Sequence, residues 1–579
     1  MSDGIVLRNG LVFDPANGIN GEKMDLCISD GRIVEKEGAG AKSIDLKGRI
    51  VLPGGVDLHS HIVGSKMSLA RAISPDYHRL DPVPRTKSTR SGVGYTVPSS
   101  YVIGYRYSSM GYTTVIEPAM QALKALACWE ELSNLSNLNT GLMPMFGNSM
   151  LTFHYVRDDD LNGLAGYLAW VLRAVGGFGV KAVNPGGTYA WAHRRNIRTL
   201  DMEVPDWEIT PREITRMLCK AVELLGLPHT LHLHPNNLGC VGNIETTLVQ
   251  LEALRDIRGH AGRKQIVHLP HMSFESLGMV DNGSPVWNDV QSGGCQLAEY
   301  YNKNEHFTVD LGQITMGPAM TMTADGPFQF SLYKMTRGKW ASSTVDVELP
   351  GGGGIVPYEY RPSSPANSVQ WAIALEFALS IDDLWRCAIS TDSPNGGPFS
   401  KYPLVISWLM SKKQREAWIR RLHPLVLERS IISELDREWD LYEVAITTRA
   451  APARILGFSM KGHLGIGADA DIAILDSKTE DTDLSKKPNR IIRLFERTYQ
   501  TYLGGQKVAQ KGKVLTTPYG HVSTIHPVLD ESDWNRMEKE LEPLMNSWYS
   551  HSFCNYSVPE RYRLPFERKS ILDATAISL

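Results

Sequence analysis

A pair of histidines, His59-Ser60-His61, follows the apolar stretch of residues 51–58. Side chains two positions apart on a strand point to the same face, so both imidazoles can reach one metal ion at the end of that strand. Pairs of solvent-facing histidines are a common alternative for so short a motif. Because the stretch contains Pro-Gly-Gly and reads as a strand, we favour metal binding by His59 and His61.

Two later apolar stretches also end in histidines. One reads His232-Leu233-His234 and the other runs from His268 to His271. Active sites of parallel barrels form where the strands end, so the more C-terminal histidine of each stretch is the predicted ligand, namely His234 and His271. His232 and His268 are then core residues or supports for the ligands. A shift of the strand register by one residue would exchange these roles.

A lysine lies near the end of another short apolar stretch, residues 177–183. The ammonium group of Lys181 has only donors and cannot bind a metal ion. Addition of CO2 to the neutral amine gives a carbamate whose two oxygens can bridge two ions. The alternative is a lysine whose charged end reaches solvent.

An aspartate, Asp392, ends the apolar stretch 387–391 and precedes Ser-Pro-Asn. A carboxylate at this point can bind a metal ion and accept the proton of an activated water. It can equally cap a turn, which the following Ser-Pro makes plausible.

The order of these residues along the chain supports a two-metal site. An imidazole pair, a lysine, two single imidazoles and an aspartate follow one another at successive predicted strand ends. Together they offer enough nitrogen and oxygen ligands for two borderline ions such as Zn2+, with room for a water molecule to be activated.

Parallel β/α units must position these residues. Residues 54–450 alternate short apolar strands with helical patterns, such as 212–225 and 404–422. This alternation is typical of a (β/α)8 barrel, the predicted fold class. The stretch 322–365, which includes four glycines at 351–354, lacks periodicity and is predicted to form loops, either over the barrel mouth or elsewhere on the surface.

Both ends of the chain are rich in β-patterns. Residues 1–53 contain Asn9-Gly10 and Asp30-Gly31 between apolar runs, which are strong hairpin signals, and residues 451–520 contain a matching pattern. We expect the two ends to meet in a small β-sandwich domain. Residues 521–579 are rich in aromatic and charged side chains and are expected to contact a partner subunit or to wrap around the chain itself.

The composition narrows the functional classes. A net charge of −3 favours neither nucleic acid nor an anionic membrane surface as a partner. No apolar run approaches the length of a spanning helix, and the N-terminus lacks a signal-peptide pattern, so a cytoplasmic protein is expected. The seven cysteines form no C-x-x-C pair, which argues against an iron–sulfur cluster or a disulfide framework in this chain.

Beyond single positions, the sequence resembles the amidohydrolase superfamily in the segments 53–61 and 465–476. Across almost the whole chain it resembles more closely the A subunits of formylmethanofuran dehydrogenases. Besides His59-Ser60-His61, four motifs carry this resemblance: YRYSSMGYTT at 105–114, VNPGGT at 183–188, HLH at 232–234 and TDSPNGGP at 391–398.

The resemblance implies two zinc ions and an N6-carboxylated Lys181. It also implies that the site condenses formate with the primary amine of methanofuran to give N-formylmethanofuran, or catalyses the reverse. Asp392 is the implied catalytic residue, and Asn236 is a candidate substrate-binding residue. The implied metal ligands are His59, His61, Lys181, His234, His271 and Asp392.

The family also implies a division of labour between subunits. CO2 is reduced to formate on a partner subunit that carries a tungsten or molybdenum pterin, iron–sulfur centres lie on partner subunits, and formate reaches this chain through a tunnel. This chain is expected to hold no redox cofactor. One departure lies at Glu275, near which some relatives carry a histidine; this leaves the ligand set unchanged but leaves its supporting contacts open.

Two alternatives remain. The first is a stand-alone hydrolase of the same fold that cuts a cyclic imide or ureide, or the corresponding subunit of a bacterial formyltransferase/hydrolase complex. The second is a metal-free scaffold subunit that presents its aromatic C-terminal segment to an assembly. Retention of every candidate ligand argues against the scaffold.

Overall fold

The computed structural model describes residues 4–280, 287–341, 354–478, 483–549, 551–563 and 569–573. Glycines 351–353, predicted to lie in a loop, fall outside these ranges. Within them, no helix is both long enough and apolar enough to cross a bilayer. The cytoplasmic location stays a prediction.

Parallel strands form a closed barrel in the middle of the chain. In chain order they are β1 (Gly55–Asp57), β2 (Tyr112–Met120), β3 (Asn139–Pro144), β4 (Lys181–Val183), β5 (Leu231–His234), β6 (Val267–Leu269), β7 (Phe307–Asp310) and β8 (Cys387–Ala388).

The strands pair with their neighbours in chain order, β1 to β3 in one sheet and β4 to β8 in another. Two parallel bridges join these sheets: Met145, after β3, pairs with Lys181, and Ser60, after β1, pairs with Ser393, after β8. The ring of strands is therefore closed, and the predicted fold class is confirmed.

Helices occupy the connections between the strands. Pro211–Leu224 shows why they form where they do: Thr210 and Glu213 make a reciprocal capping box, and Pro211 occupies the first turn. This agrees with the helix predicted over 212–225. The other helices of the barrel region are Ser65–Ile73, Ser100–Ser109, Ala125–Leu132, Met150–Arg157, Leu161–Val175, Gly187–Ala192, Ile244–Glu252, Met272–Glu275, Gly294–Lys303, Gly326–Thr336, Pro365–Ser380, Tyr402–Met410, Lys412–Ile419, Leu441–Ala445 and Ala451–Ile455.

The helical pattern at 404–422 is two helices rather than one. Tyr402–Met410 ends at Ser411, whose hydroxyl then accepts a hydrogen bond from the backbone N–H of Gln414 and caps Lys412–Ile419. A side-chain cap inside a continuous apolar pattern divides the segment without changing its periodicity.

Both chain ends contribute to one nine-stranded sheet with a hydrophobic core of its own. The strand Arg49–Pro53 pairs antiparallel with Ile472–Lys478, and this pairing joins the two ends. The remaining strands are Ile5–Asp14, Ile19–Ser29, Arg32–Val34, Lys42–Asp45, Gln500–Leu503, Gln506–Gln510 and Lys513–Val514.

One of the two predicted hairpins is wrong. Asp30 and Gly31, both with positive φ, do form the turn between Ile19–Ser29 and Arg32–Val34. Asn9 also has positive φ, but it lies in a bulge within the single strand Ile5–Asp14. A positive φ serves a bulge as well as a turn, and here the partner strand continues past it.

The prediction that residues 322–365 are irregular loops is also wrong in two places. A helix covers Gly326–Thr336, and Val356–Tyr360 pairs antiparallel with Gly317–Thr321. Asp325 caps the helix by accepting a backbone N–H of its first turn. Caps and cross-strand contacts with distant residues, rather than local periodicity, stabilise this segment.

The C-terminal segment packs on the chain itself. The strand Val522–His526 pairs with β3 and with Lys569–Asp573, and the helix Glu531–Trp548 lies against Leu161–Val175. Its buried side chains include Leu541. Contacts of residues 521–579 with a partner protein stay a prediction.

Candidate metal centre

His59 and His61 lie just beyond the end of β1 and are both buried. Their Nε2 atoms point to one oxygen: Asp392 Oδ1 is 3.1 Å from His59 Nε2 and 3.5 Å from His61 Nε2. Three potential ligand atoms from β1 and from the segment after β8 thus converge on one point. The structure brings these three predicted ligands together.

Hydrogen bonds fix the orientation of the His61 ring. Its Nδ1 lies 2.8 Å from Glu117 Oε1, so Nδ1 is protonated and donates to this carboxylate, while Nε2 is left facing Asp392. The other oxygen of Glu117 accepts the backbone N–H groups of Ile62 and Val63. Glu117 lies on β2 and did not emerge from the sequence, because nothing local distinguishes it from other strand residues.

The His59 ring is oriented in the same way. Its Nδ1 lies 3.0 Å from His232 Nε2 and 3.3 Å from Asp310 Oδ2. A carboxylate only accepts, so Nδ1 is the protonated nitrogen and Nε2 faces Asp392. Although burial disfavours the charged ring, Asp310 and Asp392 raise the pKa of His59 to about 9. The space between His59 Nε2 and Asp392 therefore calls for a cation, either a proton or a metal ion.

His232 and His268 support the site from inside the barrel. The His232 ring is held by His229, whose Nδ1 in turn lies 2.8 Å from the carbonyl oxygen of Ile455. His268 Nε2 lies 3.1 Å from Asp310 Oδ2. The expected supporting role of both histidines agrees with this geometry. Asp310, which sequence reasoning missed, ends an apolar stretch just as Asp392 does, and that signal could have identified it.

A second group lies at the ends of β5 and β6 and contains His234, His271 and Glu275. Glu275 Oε1 is 3.9 Å from His234 Nε2 and 3.7 Å from His271 Nδ1. The rings of His234 and His271 lie edge to face with their centroids 4.7 Å apart. The structure therefore brings these two predicted ligands together, with a carboxylate that was not among them.

Lys181 is buried and electrostatically coupled to both groups. It is the first residue of β4, not near its end as predicted, and it pairs with His232. Burial lowers the pKa of Lys181 to about 7 against the attraction of Asp392 and Asp310. Its charge also acts on the histidines of the second group, so it faces both halves of the candidate centre.

Lys66 is a second buried lysine beside the centre. Its Nζ atom has no hydrogen-bond partner among the residues that the structure describes. Burial lowers its pKa to about 8, and Glu117 and Asp392 are among the charges that act on it. An unpaired buried ammonium is costly unless an anion binds to it. No sequence motif pointed to this residue.

Asn236 lies below the mouth with its amide group engaged. Its Nδ2 donates to Asn184 Oδ1 and to the carbonyl oxygen of Pro185, and its Oδ1 accepts from Gln250. Substrate binding by Asn236 stays a prediction, since these contacts describe a residue that holds neighbouring loops in place.

A cavity of about 400 Å3 opens at the C-terminal ends of β4 and β5. Asp325 lines it, and its Oδ2 lies 3.7 Å from His234 Nε2, so this side chain lies between the cavity and the second group. Burial raises the pKa of Asp325 to about 7. The apolar lining includes Leu238, Trp287, Phe328, Leu332 and Met335.

A sequence profile described as the amidohydrolase family matches residues 42–509, which is most of the chain. The chain belongs to the amidohydrolase family. This agrees with a buried cluster of histidines and carboxylates at the C-terminal end of a parallel barrel. The ligand assignments within this amidohydrolase centre stay predictions.

Two relatives are similar to this chain over nearly its full length. Protein FwdA of Methanocaldococcus jannaschii is 42% identical over 99% of this chain and 100% of its own. The A subunit of the formyltransferase/hydrolase complex Fhc of Methylorubrum extorquens is 33% identical over 96% of each chain. The resemblance to formylmethanofuran dehydrogenase A subunits is confirmed.

A solved structure agrees with this. A chain of the FhcABCD complex from Methylorubrum extorquens, crystallised with methylofuran, superposes with a TM-score of 0.89. It is 31% identical and covers 99% of this amidohydrolase and 100% of its own chain. The barrel, the terminal sheet and the C-terminal segment thus share one architecture in both proteins.

Proposed function

We propose that this chain is the amidohydrolase subunit of a formylmethanofuran dehydrogenase. It condenses formate with the amine of methanofuran to N-formylmethanofuran, and it catalyses the reverse reaction, at a dinuclear zinc site. The full-length similarity to FwdA and to the corresponding Fhc protein supports this assignment.

The observation that carries the proposal is the convergence of two imidazole nitrogens on one buried carboxylate oxygen. His59 and His61 each have a protonated Nδ1 held by protein acceptors, and each Nε2 faces the same oxygen of Asp392. This arrangement needs positive charge between the rings and the carboxylate, and one divalent ion supplies it for both rings. The donor set therefore fits a divalent ion with nitrogen and oxygen ligands.

Lys181 fits the role of a bridging ligand between the two groups. The proposed carbamate forms from CO2 and the neutral amine, and burial makes that amine accessible near neutral pH by lowering its pKa to about 7. His234 and His271 then hold the second ion. When bound, the two ions would polarise the formyl oxygen and lower the pKa of a water molecule.

Residues of the chain itself transfer the proton during the reaction and bind the carboxylate of formate. Asp392 accepts the proton of the attacking water and delivers it to the leaving amine, and Asn395 orients this carboxylate with a 2.9 Å hydrogen bond. In the condensation direction the same carboxylate takes a proton from the amine as the C–N bond forms and gives it to the departing oxygen, which leaves as water as the C–O bond breaks. Lys66, a buried ammonium without a protein partner in the described part of the chain, binds the carboxylate of formate.

The proposed enzyme works as one subunit of a larger assembly. Formate comes from partner subunits that carry a tungsten or molybdenum pterin and iron–sulfur centres, in the cytoplasm. A second candidate is the equivalent component of a hydrolytic formyltransferase complex, which the similarity to the FhcABCD chain favours. Purification of the native assembly separates these candidates, because only the first includes a pterin-bearing partner.

The test measures bound metal and N-formylmethanofuran hydrolysis in the full-length chain and in Lys181→Ala and Asp392→Asn. We expect about two zinc ions per parent chain and loss of turnover in both variants. Asp14→Asn is the matched control, since Asp14 is a buried aspartate of the terminal sheet, and it retains turnover. A metal-free parent without turnover contradicts the proposal and favours a scaffold, whereas full turnover in Lys181→Ala and Asp392→Asn contradicts the assignment of these residues to the site.

A further inference from the structure

The second group of the centre contains polar atoms that are buried and make no hydrogen bond within the described part of the chain. They are His234 Nε2, His271 Nδ1, both carboxylate oxygens of Glu275, and Asp325 Oδ2. A buried polar group without a partner is destabilising, because it loses its hydrogen bonds to water and gains none in the protein. So many in one place indicate that the protein alone does not complete this cluster.

The separations between these atoms fit an ion rather than hydrogen bonds. Glu275 Oε1 lies 3.9 Å from His234 Nε2 and 3.7 Å from His271 Nδ1, and Asp325 Oδ2 lies 3.7 Å from His234 Nε2. These distances exceed those of hydrogen bonds. Two ligand atoms that each lie about 2.1 Å from one zinc ion are at most about 4.2 Å apart, so the separations of Glu275 from both rings allow His234, His271 and Glu275 to share one ion.

A purely structural role would leave the carboxylate of Glu275 without a hydrogen-bond partner among the described residues. The side chain is fully buried at the end of the short helix Met272–Glu275, and within the described ranges no lysine or arginine forms an ion pair with it. A protonated Glu275 still lacks an acceptor within hydrogen-bond distance, whereas a cation at the centre of the cluster satisfies both imidazoles and the carboxylate.

We propose that Glu275 is a direct ligand of the second metal ion, together with His234 and His271, and that Asp325 binds a water on this ion. Asp325 is suited to this because its Oδ1 caps a helix and its Oδ2 is left toward His234. The inference rests on the proposed two-metal function and adds a ligand to it. It gives the second position a carboxylate of its own, independent of carboxylation of Lys181.

The experiment compares metal binding in Glu275→Gln and in Glu376→Gln, a matched change of a buried glutamate that contacts Ser292 and Ile431 instead of the centre. Each full-length protein is loaded with Zn2+ or Co2+, freed of excess metal, and measured for metal content and for the visible absorption of cobalt. We expect two ions in the parent and in Glu376→Gln, and one ion with an altered cobalt spectrum in Glu275→Gln.

Glu275→Asp provides a second variant, since it keeps a carboxylate in place; we expect two ions bound with at least tenfold weaker affinity at one position. Two ions with the parent's affinity and spectrum in Glu275→Gln, or parent affinity in Glu275→Asp, overturn the inference alone. A parent that binds no metal overturns the proposed function as well.

Discussion

The chemistry of single residues in this centre depends on which ring nitrogen carries a proton. His59 and His61 belong to the same motif and have the same side chain, yet different partners fix them: His232 and Asp310 for one, Glu117 for the other. In both cases Nε2 is the nitrogen directed at Asp392. Partners of this kind control the orientation and basicity of metal-binding histidines.

Substitution of Lys66 tests whether this single residue binds formate. We expect Lys66→Met to raise the inhibition constant of formate in the hydrolysis reaction by about 10- to 100-fold, because a charge-assisted hydrogen bond contributes about 1.5–3 kcal/mol. Lys66→Arg keeps the positive charge, so we expect a smaller increase in the inhibition constant of formate. Lys413→Met, at an exposed position, is the control and leaves the constant unchanged. An unchanged constant in Lys66→Met argues against formate binding by this lysine.

At the scale of elements, a sharp turn after β6 brings two ligands of the second group together. His271 has a φ of 36° and directs the chain into the helix Met272–Glu275, so that His271 and Glu275 face each other. Gly312, with a φ of 55°, packs against this turn, and a Cβ there would lie 2.4 Å from the Cα of His271. The close approach requires glycine.

We therefore expect Gly312→Ala to displace His271 and to weaken metal binding at the second position by at least about tenfold. The measurement is a zinc competition titration. Gly338→Ala is the control, since a Cβ at Gly338 meets nothing closer than 3.4 Å. Equal affinity in both variants would mean that the turn does not position the ligand.

Glu376 links the helix Pro365–Ser380 to the segment after Ser430. Its titration is expected to make the stability of the protein depend on pH. Burial raises its pKa from 4.5 to about 7. Its contribution to stability is therefore fully present below the ordinary value and is lost as the pH rises through about 7. We expect urea unfolding midpoints of Glu376→Gln to fall less than those of the parent between about pH 5 and about pH 8. Parallel midpoints in both proteins contradict this.

At the scale of the whole molecule, the candidate ligands come from strands around the entire barrel. His59 and His61 follow β1, Asp392 follows β8, and His234 and His271 lie at the ends of β5 and β6. Metal ions bound among them would tie opposite sides of the ring together. A ligand that binds only the folded state stabilises that state.

Removal of the metal should consequently lower the melting temperature of the full-length chain by a few degrees, because binding at 1,000 times Kd contributes about 4 kcal/mol. Readdition of Zn2+ should restore it, as calorimetry can show. Asp392→Asn is expected to respond less to chelation than the parent. Identical melting with and without metal in the parent contradicts a role for metal in linking the strands.

The fold class could be predicted from the sequence alone, and so could the histidines of both groups together with Asp392. Strand-end histidines, a lysine and an aspartate in a fixed order are local signals, because apolar strands and the polar residues that end them are adjacent in the chain. The same holds for the alternation of strands and helices and for the turn at Asp30-Gly31.

The carboxylates that surround the histidines and the bulge at Asn9 could be located only from the tertiary structure. Glu117, Asp310 and Asp325 join the centre through contacts between distant elements, and Glu275 faces His271 because of the turn at that residue. The bulge at Asn9 was likewise decided by its partner strand. Which carboxylate faces which imidazole depends on strand order and closure of the barrel, and these long-range contacts have no signature in local periodicity.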